Sequence, residues 1–227
     1  MCGRVVWIWD PVTGKLLRKL VDDPEQDPAV AHVLHKERFN VPPASHLPVV
    51  DGRGEPAMAV ARWGFPIPKR PNGVFNTRIE TAAESPMWRG LLGTSHCLFP
   101  VKGFYEWRRS GKQRIPYYIQ RKDGQPLLLA GLIQERTWDG ERKNVASILT
   151  CAPNPLMDPV HDRMPVIIET AQAGDWLAAD AQTAFDLAVP AADVLQMHQV
   201  GPDVGDTKND HPGLMEPIER QGLGAFA

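Results

Sequence analysis

Proline and glycine set the grain of this chain. Its 227 residues include 22 prolines and 19 glycines, and these fall mostly between apolar runs rather than inside them. Proline removes a backbone donor and fixes φ, while glycine favours turns, so long uninterrupted elements have little room. The runs that remain are short and rich in β-forming residues: 5–9, 47–50, 58–63, 96–100, 116–120, 127–132 and 145–150 read as strands. Helical spacing covers 28–35, 81–92, 170–178 and 191–197. The first of these follows Asp27, an N-cap with proline in the first turn, and Thr170 is a candidate cap for the third. Helices do not alternate regularly with strands. The expectation is an α+β fold: one domain over 1–227, with a mixed or antiparallel barrel-like β core and peripheral helices. From about residue 201 the segments GPDVGD, NDHPG and QGLGAFA read as an irregular tail.

Composition narrows the class. With 43% hydrophobic residues the chain can bury one sizeable core. No run approaches the roughly 18 apolar residues of a membrane span, and MCGRVVWIWDP lacks the pattern of a signal peptide. Three cysteines form no disulfide framework, so the expected setting is the reducing cytoplasm. They also lack ligand-like spacing, and neither a metal nor a cofactor is expected. The net charge of −2 conceals an asymmetry. Residues 1–122 carry 19 Lys and Arg against 11 Asp and Glu, whereas residues 123–227 carry 6 against 16. A basic surface able to attract a polyanion can hide within a nearly neutral total.

Cys2 occupies an unusual position. Removal of Met1 would leave an α-amine and a thiol on one residue. Ordinary values of about 7.7–8.0 and about 8.5 leave usable fractions of both nucleophiles near neutrality. Such an aminothiol captures an aldehyde as an imine and then closes a five-membered thiazolidine. Lysine lacks the sulfur and an internal cysteine lacks the amine. Taken alone, MCG is more simply read as an accident of the start, with Cys2 a small buried residue.

Three further segments carry apt chemistry. In FNTRIETA, Asn76 offers both donor and acceptor, and Arg78 offers a planar fork for phosphate; the plain alternative is a helix entry with surface charge. In GFYEW, Glu106 stands among three aromatics, where desolvation would raise its pKa toward general acid–base use; the alternative is an edge strand with Glu106 in solvent. In HDRMP, His161 titrates in the physiological range and Arg163 adds a second fork, although a lone loop histidine is more often structural.

Together, MCGR, FNTRIETAAESPMWR, CLFPVKGFYEW, LLLAGL, SILTCAPNPLMDPVHDRMPVII and NDHPGLMEPI resemble the SRAP family, the SOS-response-associated peptidases or abasic-site processing proteins. The resemblance implies a barrel-like α+β domain with a basic channel for single-stranded DNA. It also implies a covalent thiazolidine crosslink to an abasic site that shields the strand from cleavage. Cys2 matches the crosslinking nucleophile and Asn76 the asparagine of its pocket. Glu106 matches the acid assisting imine formation, and His161 the histidine assisting ring opening and crosslink reversal. Arg4, Arg78, Thr150 and Arg163 fall where flanking phosphates or the abasic sugar would be held. Pro42, Pro43 and Trp63 are candidates for wedging or stacking bases, with core packing the strong alternative for Trp63. The 11–26 region shows little match, and Ser85 stands where the family often carries a basic residue.

The implied partner is single-stranded DNA bearing abasic sites, met by a monomer in the cytoplasm, at the nucleoid during repair in a bacterium. Two other classes compete. Glutamine amidotransferases also begin Met-Cys-Gly, but no accompanying motif such as Arg-Gly-Pro-Asp occurs. A non-catalytic single-strand binder would use only the basic half and the aromatics. The peptidase reading needs only self-removal of Met1 and is compatible with crosslinking.

Overall fold

The computed structural model describes residues 2–138 and 140–218; Met1, Asp139 and 219–227 lie outside the described residues, including the QGLGAFA segment. The first half of the chain runs β1 (Val5–Trp7), α1 (Pro11–Leu17), α2 (Pro28–Leu34), β2 (Arg38–Val41), β3 (His46–Asp51) and β4 (Ala57–Trp63). A hairpin, β5 (Phe65–Ile67) and β6 (Arg70–Val74), leads to β7 (Asn76–Arg78), α3 (Ile79–Ala82) and β8 (His96–Val101). Then come β9 (Gly103–Ser110), β10 (Gln113–Arg121), β11 (Leu127–Trp138) and β12 (Glu141–Cys151). Short β13 (Met164–Pro165) and β14 (Ile167–Ile168) precede α4 (Ala173–Leu177), α5 (Ala181–Leu187) and β15 (Leu195–Gln199).

The core is a closed ring. Strands β12, β4, β3, β8 and β11 pair in that order, and β11 pairs back onto β12, so these five form a barrel within a larger sheet. All of its pairings are antiparallel except β12 with β4. Closure removes the free edges that would otherwise need protection. The apolar runs pack it: Val49, Ala61, Leu98, Leu129, Ala146 and Ile148 are fully buried. Helix α2 packs on β3 and β4 and α4 on β8, which explains why these strands are apolar on both faces. A second sheet, ordered β15-β10-β9-β1-β2, lies alongside.

Strand β12 pairs with three different elements along its length. Residues 144–146 pair in parallel with 61–63 of β4, and 148–150 pair in parallel with 76–78 of β7. Between these two registers the chain leaves the barrel and returns. Gly64 N–H donates to Ala146 O at 2.7 Å and Ile148 N–H donates to Phe75 O at 3.0 Å, so the β5–β6 hairpin is an excursion from a continuous edge. Its base requires glycine. Gly64 has φ +127 and Gly73 φ +64, and a Cβ on either would run into the carbonyl oxygen of Asn72 or Phe65. Arg62 clamps the excursion through its guanidinium, which donates to Gly64 O at 2.5 Å and Pro71 O at 2.7 Å.

Several local expectations need correction. Residues 191–197 do not form a helix: the segment ends in β15, which pairs with β10 from Tyr117↔Gln199 to Arg121↔Leu195. Short apolar runs fit either period, and here an available sheet edge decides. Of the 81–92 region only residues 81–82 are helical, as the end of α3 (Ile79–Ala82), and the rest is turns around Pro86. Thr170 makes no side-chain cap bond, and residues 170–172 are a 3-10 turn leading into α4. Asp27 caps α2 as expected, accepting from Ala29 N–H at 2.8 Å. Helix α1 arises in the unmatched 11–26 region by the same device, with Asp10 accepting from Thr13 N–H at 2.7 Å and Pro11 at its first position.

The tail is irregular yet anchored. It holds 3-10 turns at Pro202–Gly205 and Pro212–Met215, and Val204 and Leu214 are buried with Val6, Tyr105 and Tyr118. The Asn40 amide donates to the carbonyls of Val204, Asp206 and Asn209, and Asp210 accepts from Phe39 N–H and from Arg38. Among the described residues no helix is long and apolar enough to cross a membrane.

Candidate functional site

The start of β1 meets the first half of β9 and the start of β7. Val5 faces Phe104 in the antiparallel β1–β9 pair, and Tyr105 N–H donates to Arg4 O at 3.0 Å. Continued two residues further, that register brings the chain start beside Glu106. Cys2 is fully buried, and its carbonyl accepts from the Asn76 side-chain amide at 2.8 Å. Asn76 reaches it because β7 is fixed on β12 through Ile148↔Asn76. The other amide atom, Asn76 Oδ1, is buried with no hydrogen-bond partner among the described residues. Three of the four residues singled out for chemistry therefore converge at one point. Glu106 is 3% exposed, not solvent-facing on an edge.

One expectation about Cys2 changes. Burial first, and the Glu106 charge second, push its thiol well above the ordinary cysteine value. Burial thus favours the thiol over the thiolate.

His161 lies in the turn that leads into β13 and lines a cleft of about 410 Å³ with Trp107, Arg109, Asp158 and Pro159. Two contacts converge on its Nδ1: Arg163 N–H donates at 3.0 Å, and an Asp162 carboxylate oxygen stands at 2.8 Å. A neutral ring cannot accept the first and donate to the second from the same nitrogen. The backbone donor is fixed, whereas the Asp162 side chain is 82% exposed. Trp107 also lines a second cleft of about 430 Å³ with Arg4, Arg114, Pro116 and Pro202. Arg4 is half-buried with its guanidinium 6.0 Å from the Trp107 ring centre, and desolvation lowers its pKa.

The remaining candidates divide. Arg78 is exposed at the end of β7. Arg163 is 12% exposed and engaged by Glu80 and Thr150 O. Thr150 is fully buried, its hydroxyl donating to Thr77 O at 3.3 Å, so it braces β7 against β12 instead of facing a phosphate. Trp63 likewise is a core residue. Its ring is fully buried, its indole N–H donates to Phe75 O at 2.9 Å, and no face is left for a base. Pro43 is buried and Pro42 half-buried. Sequence reasoning missed Arg109 and Arg114, exposed cross-strand neighbours on the β9–β10 hairpin that extend the basic surface beyond Trp107. The signal was the dense RRSGKQR run, but only the register shows which bases stand together.

A model of the SOS response associated peptidase (SRAP) family matches residues 1–207. The chain belongs to that family. Among curated SRAP-like relatives, the abasic site processing protein YoqW of Bacillus subtilis is 33% identical over 190 residues, covering 78% of this chain and 85% of its own. The abasic site processing protein YedK of Escherichia coli is 28% identical over 229 residues, covering 96% and 100%. A crystal structure from Bordetella bronchiseptica superposes with a TM-score of 0.70 at 27% identity, covering 88% of this chain and all of that one. One from Bacteroides thetaiotaomicron reaches 0.80 at 21% identity over 96% and 100%, a likeness of fold. The SRAP assignment accords with the five-stranded barrel.

Proposed function

We propose that this SRAP protein, once Met1 is removed, forms a covalent thiazolidine crosslink between Cys2 and the aldehyde of an abasic site in single-stranded DNA. The observation that carries this reading is the pinning of the chain start: Asn76 holds the Cys2 carbonyl, and the charge of the buried Glu106 is felt at the Cys2 thiol. The names of its relatives YoqW and YedK agree with it.

The chemistry follows from the groups present. The Cys2 amine adds to the aldehyde carbon and forms a carbinolamine. Loss of water, with Glu106 handing the departing hydroxyl a proton taken from the Cys2 ammonium, leaves the protonated imine and a Glu106 carboxylate. The thiol then gives its proton to the Glu106 carboxylate as sulfur bonds the same carbon, and the C=N electron pair returns to the nitrogen, which keeps its proton, to complete the ring. Each step returns Glu106 to a usable state. Fixing the aminothiol against Asn76 supplies proximity, worth about 7–11 kcal/mol in the best-oriented systems. His161 serves the opening of the closed sugar and the reverse reaction. Arg4, Arg78, Arg163 and the hairpin bases hold the strand, and the protein acts in the cytoplasm. Incubation with single-stranded DNA carrying one abasic site should give a heat-stable shifted band on a denaturing gel. Absence of any Cys2-dependent band would sink the proposal.

A further inference from the structure

Arg163 and Glu80 meet fork to fork. Nη1 donates to one carboxylate oxygen at 2.7 Å and Nη2 to the other at 2.7 Å. The partners are unequally held. Arg163 is 12% exposed, and its Nη2 also donates to Thr150 O at 2.6 Å, whereas Glu80 is 44% exposed on the four-residue α3. The arginine is fixed and the carboxylate is the member free to swing outward. A carboxylate spanning both Nη atoms presents two oxygens much as the non-bridging oxygens of a phosphodiester would.

We propose that Glu80 is an internal stand-in for a backbone phosphate, occupying the Arg163 fork in the free protein and yielding it to the strand on binding. The inference rests on the single-stranded DNA reading above and adds a control on it. With Glu80 in place, Arg78 and Arg163 act with one net positive charge; with Glu80 displaced, two cations face the strand. An undamaged strand must displace the carboxylate in a bimolecular encounter. A strand already bonded at Cys2 does so at a high effective concentration. Glu80 thus weakens the grip on undamaged DNA more than the grip on DNA held at the lesion. Arg163 lowers the Glu80 pKa, which keeps the carboxylate charged and in place.

The test is fluorescence anisotropy with a labelled oligothymidine lacking any abasic site, over a series of salt concentrations. Glu80→Gln should tighten binding about three- to tenfold and steepen its salt dependence, while Glu84→Gln, an exposed neighbour, should change it less than about twofold. In an Arg163→Ala background, Glu80→Gln should tighten binding by less than about twofold, the residue of its charge near Arg78; should that background prove unstable to heating, Arg163→Lys completes the cycle. Equal tightening without Arg163, an equal effect of Glu84→Gln, or weaker binding by Glu80→Gln would each overturn the inference while leaving the crosslinking reading standing. A wild-type protein with no salt-sensitive binding would remove both.

Discussion

The Asn76 side-chain amide donates to the backbone carbonyl of Cys2 across 74 positions of chain. The bond fixes the main chain of Cys2 through its carbonyl and uses neither the thiol nor the backbone nitrogen. Asn76 is therefore a clamp on position, and its removal should be felt in rate more than in fold.

Asn76→Ala should slow crosslinking to an abasic oligonucleotide about ten- to a hundredfold, as expected for lost orientation, with little change in salt-dependent binding. Single-turnover gels beside anisotropy separate the two effects. A rate equal to wild type would show that the clamp is idle.

Cys2→Ser should retain the amine and lose the stable ring. Reduction with borohydride should trap an imine adduct in the variant, whereas without reductant no heat-stable band should remain. A Cys2→Ser adduct that survives heating unreduced would contradict the role given to sulfur.

His96 supplies a pH signature remote from the site. It is buried, its Nε2 accepts from Gly93 N–H at 3.2 Å, and its ring lies 4.7 Å from Trp176. Burial lowers its pKa from 6.5 to about 4. Below 6.5 the unfolded chain takes up a proton that the folded chain refuses, so stability falls as pH drops from 6.5 toward 4, by roughly 3 kcal/mol at most. Denaturant midpoints across that window should slope for the wild type and flatten in His96→Gln.

Gly64→Ala tests the hairpin base. The residue holds φ +127 against the Asn72 carbonyl, so alanine should destabilise by about 1–3 kcal/mol or more. Thermal unfolding reads the loss, and an unchanged midpoint would show that the excursion relaxes freely.

Much of this architecture is legible in the sequence where burial and punctuation agree. The runs at 58–63, 96–100, 127–132 and 145–150 become barrel strands because each is apolar on both faces and ends near a turn. Residues 191–197 are misread because four or five apolar residues carry no decisive period, and only the β10 edge makes them a strand. The meeting of Cys2, Asn76 and Glu106 is foreshadowed by residue types but depends on registers between distant strands. Thr150 and Trp63 show the converse: chemically suitable side chains that the packing turns inward.

The double register of β12 has a consequence for how such a protein can change. Since Gly64 and Phe75 are each fastened directly to β12, the ten-odd residues between them are suspended from two fixed posts. Insertions, deletions or a new tip sequence in that span would leave Asn76 where it is. The surface of that excursion can thus diverge between lineages and acquire new contacts while Asn76 and the strand that carries it stay in place.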